Sequence, residues 1–285
     1  MKIAISGANG YIAKNLIWEL QADHHTVVPI KRNVFYNMAQ LTELLSDADV
    51  VINLAGAPIL QRWTSDNKKE ILDSRVGSTR KIVQAINSLA QNKKPHTFLS
   101  ASAIGIYAIG DVHTEKSASF STLFVGEVVS KWEDASSDLS PQVRRLLFRI
   151  APVLGKEAQT IQKLLPLFKM GLGGKIGSGT QPFPFVHIFD VVNAFVWGIQ
   201  NNRAEGIYNL TAPDQIDNKT FTEVLAHSLN KPALFTVPGF MLKLAYGEAS
   251  SLLLESPQVK PERLLNEGFA FLFPDIKSCI AEILK

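Results

Sequence analysis

The chain has 285 residues, 46% hydrophobic and 19% charged, enough apolar material to bury a full core and too much for a disordered segment. Its net charge of +3 is small and its basic residues come only in pairs, such as Lys68-Lys69, Lys93-Lys94 and Arg144-Arg145, which argues against a nucleic-acid partner. Cys279 is the only cysteine, so an intramolecular disulfide is excluded, no metal site is expected, and a reducing cytoplasm is the expected location.

The first element is a short apolar strand whose core is Ile3-Ala4-Ile5, too short for a signal peptide; no later run approaches the ~20 apolar residues of a membrane span. The strand runs into Gly7-Ala8-Asn9-Gly10, and a helical pattern opens at Tyr11 and Ile12 and continues over residues 11–21. This is the arrangement that holds a dinucleotide pyrophosphate. Gly7 permits the tight turn, Gly10 has no Cβ to block the phosphates, and small Ala13 lets the helix pack close to the strand. The helix start then offers unpaired N–H groups to the anion.

A second strand, 26–30, ends in Lys31-Arg32 with no carboxylate nearby. An acidic residue at this place suits the free ribose of NAD, whereas a basic one suits a 2′-phosphate. Arg32 is therefore the candidate for that phosphate, with Lys31 in support, and NADP(H) is expected to be preferred over NAD(H). A buried strand over 49–56 runs into the turn Leu54-Ala55-Gly56, followed by Arg62 and Trp63, a cation and an aromatic face placed to grip an anionic or cyclic substrate.

A long helix is predicted over 68–89, a strand over 97–100, a polar loop to about 122, a helix over 124–139 and a strand over 142–150. Strands alternating with helices imply a parallel sheet covered on both faces. The glycine-rich stretch 171–179 reads as a loop or flap. A buried helix over 185–199, a strand over 206–210 and a helix over 220–229 follow. The expected fold is α/β, a Rossmann-type doubly wound parallel sheet with a small, interleaved C-terminal substrate lobe. Residues 1–155 form the nucleotide domain, with 185–210 returning to it, and 156–184 and 211–285 form the lobe.

Taken together, Gly7-Ala8-Asn9-Gly10-Tyr11-Ile12-Ala13, Asn53-Leu54-Ala55-Gly56, Ser100-Ala101-Ser102 and Arg149-Ile150-Ala151-Pro152-Val153-Leu154-Gly155 resemble the extended short-chain dehydrogenase/reductase superfamily. The stretches 53–59, 62–64, 171–179, 185–190 and 252–271 look like its epimerase-like branch, the nucleoside-diphosphate-sugar epimerases. The resemblance implies NADP(H) at the strand ends, touched by Gly7, Asn9, Gly10, Tyr11, Ile12, Lys31, Arg32, Leu54, Ala55, Gly56, Pro152 and Val153. It also implies a small polar substrate, with Arg62, Trp63 and His187 as candidate contacts, and a homodimer by analogy through helices 68–89 and 124–139.

Members of that superfamily usually pair a serine at a strand end with a tyrosine that has a lysine four residues on, the lysine lowering the phenol's pKa for proton exchange. Ser102 fits the first role. Matching the helix through Trp132-Glu133 puts Leu123 and Glu127 at the other two positions, and none of the five tyrosines has a lysine four residues later. Tyr107, five residues after Ser102, is the candidate substitute; Lys131, one helical turn past Glu127, is too far along to copy the ammonium. Arg75 stands where the resemblance puts a polar residue behind the active site, and reads either as positive charge supplied there or as a helix-surface cation. His187, beside Phe185 and Phe189, reads as a substrate contact or as a core histidine. The two functional readings are an NADP(H)-dependent oxidoreductase or epimerase, possibly on a nucleotide sugar, and a cofactor-binding sensor or regulator that lacks the proton-transfer pair.

Overall fold

The computed structural model describes all 285 residues. Six strands form one parallel sheet: β1 (Lys2–Ser6), β2 (Thr26–Ile30), β3 (Val50–Asn53), β4 (Thr97–Ala103), β5 (Arg144–Ile150) and β6 (Gly206–Leu210). Their spatial order is β2-β1-β3-β4-β5-β6, with Ile3 aligned to Val27 on one side and Val50 on the other. The winding direction reverses at β1, so a crevice opens beyond the carboxyl ends of β1 and β3, the place where open α/β sheets bind ligands.

The helices are α1 (Tyr11–Ala22), α2 (Met38–Leu45), α3 (Ser65–Leu72), α4 (Ser78–Ser88), α5 (Phe124–Asp134), α6 (Gln159–Lys169), α7 (Ile188–Gln200), α8 (Asn218–Ser228) and α9 (Gly239–Tyr246). Alternation along β1 sends Ile3 and Ile5 to one layer and Ala4 to the other. Ala13, Leu16 and Leu20 of α1 and Val191 and Phe195 of α7 cover the first face, while Leu41 and Leu45 of α2 and Ile82 and Ile86 of α4 cover the second. A third cluster joins α6 and α8 to the last helix, Ile276–Ile283, through Ile161, Phe168, Phe221, Leu225 and Ile280. No helix is long and apolar enough to cross a membrane.

The structure departs from the sequence expectations in particular places. The helix expected over 68–89 is α3 and α4 joined by a π-helical turn, Asp73–Gly77. The helix expected to reach 139 stops at Asp134, and α2 was not anticipated. Within 171–179, Gly174–Ile176 is a strand rather than loop: it pairs in parallel with Phe235–Val237, and a Cβ on Gly174 would strike the Phe235 carbonyl. Before α7, Val186–His187 pairs with Val153–Leu154. The polar loop after β4 carries the two-residue strand Val112–His113, which Gln258–Val259 ties to the C-terminal region.

Candidate functional site

At the end of β1 the backbone of Gly7 has φ of +70°, and a Cβ there would lie 2.5 Å from the Leu54 carbonyl oxygen. Only glycine meets both constraints, since L side chains rarely adopt this conformation. The turn closes with Gly10 N–H donating to the Gly7 carbonyl at 2.8 Å, and Gly10 caps α1 with no side chain of its own. The first turn of α1, at Tyr11 and Ile12, therefore opens with uncapped N–H groups beside exposed Asn9 and Gly10. The Tyr11 side chain is partly buried. Its hydroxyl lies against Gly155, and burial, then the Glu157 carboxylate, push its pKa up to about 12.

The loop after β3 is held against this turn by a buried polar network. Ser6 donates to Asn53 Oδ1 at 2.6 Å and accepts from Leu54 N–H at 3.2 Å. Asn53 Nδ2 donates to Thr79 Oγ1 at 2.8 Å, and Trp132 Nε1 donates to the same oxygen at 3.1 Å. Leu54, Ala55 and Gly56 follow, with Ala57 N–H tied to Ser74 Oγ at 2.9 Å. At the end of β2, Lys31 and Arg32 are exposed and neither forms an ion pair. These are the features a dinucleotide needs: a cradle that a Cβ would fill, free N–H groups for the pyrophosphate, and unspent cations beyond the second strand. Pro152 and Val153 follow β5 at the same end of the sheet, Pro152 exposed and its carbonyl accepting from Val186 N–H at 3.1 Å.

Ser102, near the carboxyl end of β4, and Tyr107, on the loop beyond it, are linked through Glu133 and Arg149. Ser102 is 4% exposed and donates to Glu133 Oε1; Glu133 in turn receives Arg149 through two hydrogen bonds of 2.8 and 2.7 Å. Arg149 also donates to the Tyr107 hydroxyl at 2.8 Å, and Tyr107, 1% exposed, donates to Asn209 Oδ1 at 2.8 Å. Burial pushes the Tyr107 phenol above its ordinary range although Arg149 pulls the other way. Both hydroxyls are hydrogen-bonded within the protein. Register accounts for the burial of Ser102: it shares its face of β4 with buried Ser100, whereas the partly exposed neighbour is Ala103. Sequence reasoning missed Glu133 and Arg149, although a charge inside the apolar strand Arg144–Ile150 signals a buried partner.

The other substrate candidates also make contacts within the protein. Arg62 donates to the carbonyls of Leu244 and, at 3.2 Å, Ala245, capping the end of α9. Trp63 donates to the Ile59 carbonyl at 2.9 Å and sets its ring edge-on to Phe124, 5.0 Å between centroids. Trp63 and Phe124 form a wall next to Leu123, which is exposed; Glu127, also exposed, pairs with Lys131. His187 is 2% exposed, its Nδ1 accepting from Phe189 N–H at 3.3 Å at the start of α7. Burial lowers its pKa to about 4. The imidazole is thus a neutral helix cap packed in the core.

Arg75 lies in the π-helical turn. Its guanidinium sits above the Trp132 ring at 5.4 Å, and its carbon would be 3.1 Å from a Cβ on Gly56. The geometry fits the reading of positive charge behind the site rather than that of a helix-surface cation.

A parallel sheet reversing at β1, with a glycine turn and an uncapped helix at the crevice, defines a dinucleotide-fold protein of the short-chain dehydrogenase/reductase type. The chain belongs to the NAD dependent epimerase/dehydratase family, whose model matches residues 3–211. A domain of unknown function, DUF1731, matches residues 237–283. The chain is similar to a chloroplastic epimerase family protein SDR39U1 homolog of Arabidopsis thaliana, 31% identical over 100% of this chain and 87% of that protein. It is 30% identical to epimerase family protein SDR39U1 of Mus musculus over 100% of both. The crystal structure of human epimerase family protein SDR39U1 (isoform 2) with NADPH matches with a TM-score of 0.92 at 28% identity, covering 99% of each chain. The α/β doubly wound fold and the superfamily expected from the motifs are those observed.

Proposed function

We propose that the protein binds NADP(H) in the crevice at the ends of β1, β2 and β3 and acts there as an epimerase- or oxidoreductase-like protein on a small polar substrate. One observation carries the cofactor choice: the exposed Lys31-Arg32 pair follows β2 with no carboxylate against it. The NADPH bound to the human relative supports the same reading. When bound, the nicotinamide would supply or accept a hydride. Gly7, Asn9 and Gly10 would admit the pyrophosphate, the backbone at Tyr11 and Ile12 would donate to it, and Arg32 would clamp the 2′-phosphate in a two-pronged pair. Leu54, Ala55 and Gly56 would line the floor and Pro152 and Val153 the nicotinamide end. Residues 156–184 and 211–285 would form the substrate lobe.

Titration of NADPH and NADH by fluorescence tests this reading. NADPH should bind at least about tenfold tighter, a difference of about 1.4 kcal/mol, and Arg32→Ala should remove most of that difference. Equal affinities in the wild-type protein overturn the preference.

A second reading has its own support. The Ser102 and Tyr107 hydroxyls bond to Glu133 and Asn209, and Leu123 and Glu127 stand where the resemblance puts a tyrosine and lysine, which supports a reading without the ordinary proton-transfer pair. A cofactor-binding sensor or regulator needs no such pair. Absorbance assays with NADPH and a panel of carbonyl compounds and sugar nucleotides discriminate: turnover supports the enzyme, and tight NADPH binding with no turnover across the panel supports the sensor.

A further inference from the structure

Arg75, at this end of the sheet, carries a partly buried and largely desolvated charge that has no acidic partner. Its guanidinium is pressed between the Trp132 ring, 5.4 Å away, and the backbone of Gly56. No carboxylate lies within ion-pair distance, and its only protein acceptor is the Ile71 carbonyl, 3.2 Å from Nη1. A guanidinium has five N–H donors, so most of this group's donating capacity is unused. The nearest acid on its own helical stretch, Asp73, is taken by Lys69 at 2.6 Å. On the facing helix α5, Glu127 is taken by Lys131 and Glu133 by Arg149. Burial alone lowers the Arg75 pKa to about 10, so it remains charged at neutral pH.

A buried, unpaired charge is costly unless something neutralises it. The surrounding structure holds it in place. The π-helical turn Asp73–Gly77 interrupts an otherwise regular helix at Arg75, and such turns collect at functional sites. Ser74, the preceding residue, tethers Ala57, so Gly56 is kept over the guanidinium. Gly56 is exposed, and as glycine it offers no side chain to cover the charge.

We propose that Arg75 is an oxyanion-binding residue, holding a carboxylate or phosphate group of the substrate between Gly56 and the Trp132 side of α5. This assignment rests on the NADP(H) reading above and narrows the substrate to a small anion-bearing molecule. The pyrophosphate of the cofactor has the same chemistry, so the test separates the two sources.

The experiment titrates inorganic phosphate and oxalate into protein saturated with NADPH, with heat of binding and tryptophan fluorescence as readouts, and measures NADPH affinity separately. Saturable binding of at least one anion by the wild-type protein is expected. Arg75→Gln should weaken it tenfold or more while changing NADPH affinity less than threefold, and Arg75→Lys, which keeps the charge but loses the fork, should fall between. Gly56→Ala leaves Arg75 in place but sets a methyl group over the guanidinium; it should weaken the anion several-fold even where Arg75→Gln does not fold. Absence of saturable binding in NADPH-loaded wild-type protein overturns the proposal. So does a tenfold loss of NADPH affinity in Arg75→Gln, which assigns the charge to the cofactor. Failure of NADPH itself to bind the wild-type protein overturns instead the cofactor reading on which the proposal stands.

Discussion

The imidazole of His187 packs against the Phe273 ring at 4.2 Å and accepts the first free N–H of α7. Burial holds it neutral, lowering its pKa from 6.5 to about 4 despite the opposing pull of Glu282. The unfolded chain therefore takes up a proton between these two values and the folded protein does not, so stability is complete above pH 6.5 and falls as the pH drops toward 4. Urea unfolding at pH 5 should show a loss of about 2 kcal/mol relative to pH 7 from this group. His187→Asn keeps a cap acceptor without the titration and should remove that part of the slope; an unchanged slope would contradict it. Ser102 and Tyr107 carry the same lesson. Their residue types and order along the chain suit catalysis, but a hydroxyl's role follows from what lies within hydrogen-bond reach.

Helix α9 is poorly embedded in the fold. It buries no residue, and Phe240 and Leu244 are 70% and 75% exposed. Local packing alone would hold so apolar and exposed a helix poorly. Two contacts from the loop after β3 and from α3 secure its end: Arg62 on the carbonyls of Leu244 and Ala245, and Lys68 with Glu248 at 2.6 Å. Arg62→Ala should cost about 1 kcal/mol locally. Hydrogen exchange over residues 239–250 should speed up while the amides of β1, β3 and β4 keep their protection; equal exchange in both proteins would show that the clamp contributes nothing. Element by element, the strands were legible because short runs of Val, Ile and Leu between turn signals leave few alternatives. The Gly174–Ile176 strand was not, because its pairing partner lies some sixty residues away, at Phe235–Val237.

Across the whole molecule, Glu133 and Arg149 join α5 to β5, and through Ser102, Tyr107 and Asn209 they reach β4, the polar loop and β6. Asn209 extends the chain of contacts to the Lys260 carbonyl in the C-terminal region. Removing one member of such a buried pair leaves the other charge uncompensated, at a cost of about 3–5 kcal/mol. Arg149→Met should therefore lower global stability in a single cooperative unfolding transition by that amount. Glu133→Gln together with Arg149→Met should recover part of the loss; a double variant no more stable than Arg149→Met alone would show that the uncompensated charge is not the source.

The sequence by itself determined the succession of strands and helices and the phosphate cradle at Gly7 and Gly10, because hydrophobic periodicity and turn geometry act over a few neighbouring residues. It also located Arg32 just past the end of β2, since two residues beyond a strand cannot move far from it in any register. Only the tertiary structure decided which polar groups remain free to meet a ligand. Ser102 is satisfied by a residue thirty-one positions away and Tyr107 by one a hundred and two positions away. Arg75 is left unpaired because the acids near it are held by other cations. Satisfaction of a polar group depends on everything folded around it, and that is set by long-range packing, not by local pattern.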